Sequence, residues 1–127
     1  MKIGIVAFID ETTARPDVIG RKCEALGFES IWLPEHPVMP NFQPPQTSVT
    51  ERVFEKNQVP DWYTRIPDPF VTLMAVAAAT TRLRLGTGVC LVPEHEPITL
   101  AKTVATLDLF SNGRFEFGIG AGGIREE

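Results

Sequence analysis

Two adjacent residues, Glu35 and His36, carry the sharpest chemical signal in this 127-residue sequence. An imidazole exchanges a proton near neutral pH, and a carboxylate beside it can orient it, so the pair is a candidate general acid–base. The competing reading of His36 is a ring hydrogen-bonded to the backbone of its own loop. Position alone leaves both open. His95 stands in the short polar turn Pro93-Glu94-His95-Glu96 and is expected to be solvated rather than to touch a ligand. Cys23 and Cys90 show neither a metal-knuckle nor a redox-pair spacing, so two reduced structural thiols and no metal site are expected. Two glycine-rich stretches complete the candidates. Gly86-Thr87-Gly88 interrupts a strand-like run, where glycine marks a bulge or a close approach of backbone. Gly118-Ile119-Gly120-Ala121-Gly122-Gly123 fits G-x-G-x-x-G, but a dinucleotide fingerprint also needs a following helix and an acidic residue about twenty positions on. The sequence supplies neither. A strand end kept free of side chains, so that a flat ligand can approach, is the better reading.

The elements that position these residues alternate. Ile3 to Phe8 is a continuous apolar run, suited to a strand in a sheet covered on both faces. Pro16 opens a helix whose inner face is expected to carry Val18, Ile19, Cys23 and Leu26, and Gly27 ends it. Ser30 to Leu33 is the second strand. Pro34 to Pro67 has many prolines and no sustained period, too long for an ordinary strand-to-helix loop and suited to a lid or binding loop. Trp62 and Tyr63 within it are expected to dock on something. Asp68-Pro69 starts an alanine-rich helix to Thr80, small enough in its side chains for close packing. Arg82 to Val92 is the third strand. Pro97 opens a helix with Ile98, Ala101, Val104, Ala105 and Leu109 on one apolar face, stopped by Ser111-Asn112-Gly113. Phe115 to Gly120 is the fourth strand.

The order strand–helix–strand–loop–helix–strand–helix–strand predicts an α/β fold with a parallel sheet. Four strands and three helices make the N-terminal half of a (β/α)8 TIM barrel, whose full length is about 250 residues. Residues 1–127 are then one partial domain with a loop insertion at about 37–67, and the sequence reads as cut where a fourth helix ought to begin. In such folds functional groups collect at the carboxyl ends of the strands. Here those ends hold Asp10, Glu35, His36, Gly88 to Pro93 and Gly118 to Gly123.

A net charge of −4 with scattered basic residues gives no reason to expect nucleic acid or an anionic membrane surface as a partner. No apolar run reaches the ~18 residues of a membrane span, and Asp10-Glu11 breaks the short N-terminal apolar run, so a cytoplasmic protein is expected.

The stretch Glu24-Ala25-Leu26-Gly27-Phe28-Glu29-Ser30-Ile31-Trp32-Leu33-Pro34-Glu35-His36 resembles the opening of the bacterial luciferase-like monooxygenase superfamily. So do Asp68-Pro69-Phe70-Val71, Ala79 to Val89, Leu100-Ala101-Lys102, Ala105 to Asp108, Ser111 to Arg114 and Gly118 to Gly122, in that order. The chain is most similar to the deazaflavin (coenzyme F420)-dependent oxidoreductases within it. That resemblance implies hydride transfer between coenzyme F420 and a small organic substrate, with His36 in proton transfer and Glu35 beside it. It further implies a non-proline cis peptide at Gly88–Val89 behind the ring, and a ring site of Gly88, Val89, Cys90, Gly120 and Gly122. An FMN-dependent monooxygenase is the alternative cofactor reading. A half-barrel that is inert alone and pairs with another chain, as in a homodimer, is the alternative of another class.

Overall fold

The computed structural model describes residues 1–39 and 61–122. Most of the expected insertion at 37–67, and Gly123, therefore lie outside the described residues. The elements are β1 (Gly4–Val6), α1 (Pro16–Ala25), β2 (Ser30–Leu33), a 3₁₀ turn (Asp61–Arg65), α2 (Pro69–Ala79), β3 (Arg84–Thr87), β4 (Cys90–Leu91), a second 3₁₀ turn (Val92–Glu94), α3 (Pro97–Phe110), β5 (Phe115–Glu116) and β6 (Ile119–Gly120). One sheet has the order β1-β2-β3-β5 and is parallel throughout; β4 and β6 form a second parallel pair.

The two long strands expected at 82–92 and 115–120 are each divided in two. Between β3 and β4 lies the cis peptide Gly88–Val89. At the same level the Gly118 carbonyl accepts from both Cys90 N, at 2.8 Å, and Thr87 Oγ1, also at 2.8 Å. The ladder is thus carried across the break by a side chain, and pairing resumes in a new register.

Helix starts follow local chemistry. Asp68 Oδ1 accepts from Val71 N at 2.8 Å and Glu96 Oε2 from Thr99 N at 2.7 Å, each satisfying a first-turn donor ahead of a proline-led helix. At the opposite end of the sheet two charged side chains fasten the turn from α2 to β3. Glu24 Oε1 accepts from Thr81 N at 3.0 Å and Leu83 N at 2.9 Å. Arg114 donates to Leu83 O at 2.8 Å, Ala77 O at 2.9 Å and Thr80 Oγ1 at 2.9 Å. Burial raises the Glu24 carboxyl, but the N–H groups of Arg82, Leu83 and Thr81 outweigh it and hold the group below its ordinary value.

The core lies between the sheet and the helices, where Ile31, Leu33, Leu85, Leu73 and Val76 are essentially inaccessible. Helices α1 and α2 approach closely because α1 offers Gly20, where a Cβ would stand 2.7 Å from Val76 Cγ1. Three expectations about apolar faces need correcting. In α3 the inward residues are Leu100, Val104 and Leu107, while Ile98 and Leu109 are exposed. In α1 Cys23 is buried and Val18 and Leu26 are exposed. Strand β1 is covered on one face only, since Ile5 and Ala7 pack on the core but Val6 and Phe8 are open. The runs of α3 and β1 are apolar on several sides, and only packing decides which side turns inward.

The other face of the sheet is organised by Trp32. Its Nε1 donates to Ser30 Oγ at 2.9 Å, and its ring lies across β3, where a Cβ on Gly86 would stand 2.2 Å from Trp32 Cε3. The glycine in the third strand thus makes room for an indole of the same chain, and needs no ligand to explain it. Gly86→Ala is expected to cost about 1–3 kcal/mol by overpacking, read by urea denaturation. Combining it with Trp32→Leu should recover part of that loss, and a strictly additive double variant would contradict the assignment.

Candidate functional site

A cavity of about 460 Å³ opens at the carboxyl ends of the strands, within the size range of small-molecule sites. Its lining gathers chain ends that are far apart in sequence: Phe8 after β1, Pro34 to His36 after β2, Gly88, Val89 and Leu91 around the β3–β4 break, and Gly120 to Gly122 after β6. Trp62 and Tyr63, on the first 3₁₀ turn, close one side.

Of the residues singled out in sequence, His36, Gly88, Val89, Gly120 and Gly122 meet at this cavity. The His36 ring lies 4.3 Å from the Tyr63 ring, centroid to centroid. Gly88, Gly120 and Gly122 add no side chain to the lining, where Val89 stands among them. At Gly120 the reason is internal, since a Cβ there would stand 2.5 Å from Val89 Cγ2.

Cys90 departs from its expected place in a ring site. Its side chain is wholly buried and is not part of the cavity lining. Neighbouring residues of an extended segment point to opposite faces, so placing Val89 on the cavity turns Cys90 away. Burial, with the Glu35 carboxylate beside it, pushes the Cys90 thiol up to about 12.

Glu35 also differs from its expected partnership with His36. The carboxylate is only 4% exposed. Its Oε2 accepts from Leu91 N at 2.6 Å and lies 3.0 Å from His95 Nε2. A carboxylate only accepts, so Nε2 of His95 carries the hydrogen. His95 is therefore part of the structure rather than a solvated turn residue; its ring also meets the edge of Phe70 at 6.2 Å. No sequence spacing announces this contact, because Glu35 and His95 are sixty positions apart. Ligating atoms of Glu35, Cys90 and His95 lie within 4.8 Å of one another, a cluster the expectation of no metal site did not foresee. The carboxylate already meets Leu91 N and His95, and we read the trio as a hydrogen-bonded tie.

The cavity fits a flat, neutral ring on its glycine wall. Backbone and a Val89 methyl form that wall, and no lysine or arginine is among the described lining residues. Among the described residues no helix is long and apolar enough to cross a membrane.

Residues 14–127 match the luciferase-like monooxygenase family. The chain belongs to that family. An uncharacterized protein of Mycobacterium tuberculosis is 39% identical over 130 residues, covering all of this chain and 44% of that relative. The chain thus spans less than half the length of the relative it matches. Among solved structures, the oxygenating constituent of 3,6-diketocamphane monooxygenase from Pseudomonas putida, in complex with FMN, superposes with a TM-score of 0.72. That match is 19% identical and covers 99% of this chain and 31% of the other. The coenzyme F420-dependent tetrahydromethanopterin reductase of Methanopyrus kandleri superposes with a TM-score of 0.65 at 24% identity, covering 96% and 27%. Both likenesses show the fold: an α/β arrangement of parallel strands, matching part of longer chains, as the half-barrel reading expects.

Two outcomes check the tie. Glu35→Leu orphans the Leu91 N–H and should cost about 1–3 kcal/mol, whereas Glu35→Gln keeps an acceptor and should cost less; equal losses would contradict it. For Cys90, the unfolded thiol ionises near 9 and the folded one near 12, so folding stability should fall as pH rises through that window. Cys90→Ala should flatten the fall in thermal melts. The flattening should be partial, since burial also raises Cys23.

Proposed function

We propose that the protein is an oxidoreductase that transfers hydride between coenzyme F420 and a small organic substrate. The carrying observation is a cavity whose lining sets Gly88, Val89, Gly120 and Gly122 beside His36. Gly88, Val89, Gly120 and Gly122 would hold the ring by backbone and small apolar contact. When bound, the deazaflavin supplies a two-electron acceptor or donor for hydride. The chain's own part is to orient the substrate, to exclude water with Trp62 and Tyr63, and to manage the proton that accompanies the hydride. An imidazole nitrogen of His36 takes that proton from a substrate hydroxyl and returns it in the reverse direction. Glu35 acts at one remove, by fixing Leu91 and His95.

A second cofactor reading, reduced FMN with oxygen, is supported by the family's description as monooxygenases and by the FMN-containing structural neighbour. Pairing with another chain has its own support, because β1 and β5 each have one strand neighbour among the described residues.

Titration of the protein with coenzyme F420 and separately with FMN, followed by fluorescence, separates the cofactor readings. Saturable binding of F420 with turnover independent of oxygen is expected. Preference for FMN with oxygen uptake would replace it by the monooxygenase reading. His36→Asn should leave ring affinity nearly unchanged and lower turnover by about 10²–10⁴-fold; unchanged turnover would remove His36 from proton transfer.

A further inference from the structure

Glu35, Cys90 and His95 come from three separate places in the fold: just after β2, the start of β4, and the turn that leads into α3. A carboxylate oxygen, the thiol sulfur and an imidazole nitrogen lie within 4.8 Å of one another. Each residue is held where it stands. Glu35 Oε2 accepts from Leu91 N at 2.6 Å, Cys90 N donates to Gly118 O at 2.8 Å, and His95 N donates to Val92 O at 3.2 Å. The three donors are thus placed by the backbone around them, not gathered from loose surface side chains.

The donor types select an ion. One thiolate, one imidazole and one carboxylate suit zinc-class cations, whereas magnesium and calcium take oxygen ligands. Ligands about 2.0–2.3 Å from a tetrahedral ion stand roughly 3.3–3.8 Å from one another. The observed spacings are 3.0 Å for Glu35 Oε2 to His95 Nε2 and no more than 4.8 Å overall. Closing on an ion therefore needs shifts of about 1 Å or less.

Charge and access agree. Cys90 is wholly buried and Glu35 nearly so, and a divalent cation would neutralise thiolate and carboxylate together where burial penalises either charge alone. The His95 side chain is 23% exposed, and Glu35 borders the cavity, so the trio is reached from solvent without opening the core.

We propose that Glu35, Cys90 and His95 form a binding site for a divalent zinc-class ion. The hydrogen-bonded tie is the metal-free state of the same three side chains. On binding, the Cys90 S–H bond breaks, its proton leaves to solvent and a sulfur–metal bond forms. The hydrogen on His95 Nε2 passes to Nδ1, so that Nε2 ligates. Glu35 keeps its bond from Leu91 N and ligates through its remaining acceptor capacity, and water takes the fourth position. The ion fastens the ends of β2 and β4 to the turn before α3, beside the cavity and independently of the cofactor bound there.

The test titrates the metal-free protein with Co2+ and then with Zn2+, followed by absorption and thermal melts. One equivalent of Co2+ should bind with a thiolate-to-cobalt charge-transfer band. Zn2+ should displace it and raise the melting temperature. Cys90→Ser should abolish the band and weaken Zn2+ binding about tenfold or more. His95→Gln keeps an N–H for Glu35, and so keeps the tie, but lacks the ring nitrogen; it too should weaken Zn2+ about tenfold or more. Cys23→Ser should change neither band nor affinity. Absence of the band, its survival in Cys90→Ser, or unchanged Zn2+ affinity in a folded His95→Gln would overturn the site.

Discussion

The structure around the cavity depends on one buried carboxylate. Glu35 closes the end of β2 and accepts from Leu91 N, across the break that separates β3 from β4. Without an acceptor there, the Leu91 amide would be buried and unpaired, and the segment carrying Gly88 and Val89 would lose its fixed distance from the second strand. His95 completes the carboxylate's hydrogen bonding and passes the same constraint to the turn that leads into α3. The carboxylate expected beside His36 thus sets the position of Leu91 and His95 instead. The proton chemistry is left to its neighbour His36.

A second constraint acts from beneath. The Trp32 ring lies across β3, and it can do so because Gly86 carries no side chain. On the next level Gly118 passes close to the Thr87 carbonyl, where a Cβ would stand 2.1 Å from the oxygen. Glycines near the strand ends therefore serve separate ends: Gly86 makes room for the Trp32 ring, while Gly88, Gly120 and Gly122 border the cavity. Sequence alone shows them as a single anomaly, because composition cannot say whether an indole or a ligand occupies the freed space.

What was legible in the sequence was what is encoded locally. Asp68-Pro69, Pro97 and Gly27 mark helix ends through capping and φ, and the structure places helix boundaries beside them. Strict alternation gave the parallel sheet, and the positions after the strands gave Gly88, Gly120 and His36 as cavity residues. What was not legible depends on tertiary distance. Glu35 with His95, and Arg65 with Asp10, are pairs separated by more than fifty residues with no shared period. The inward face of α3 was misread for a related reason: Ile98 and Leu109 are as apolar as Leu100 and Leu107, and burial follows the sheet's position rather than hydrophobicity.

Family membership and fold stand on the sequence match and the superpositions; the claim that the glycine wall is where a redox ring sits stands on cavity shape. Hydrogen–deuterium exchange of the protein with and without saturating F420 addresses that claim directly. The account predicts slowed exchange in peptides spanning 34–36, 86–92 and 118–122. Protection confined instead to the apolar groove between α3 and β5, lined by Leu100, Val104 and Phe115, would contradict it.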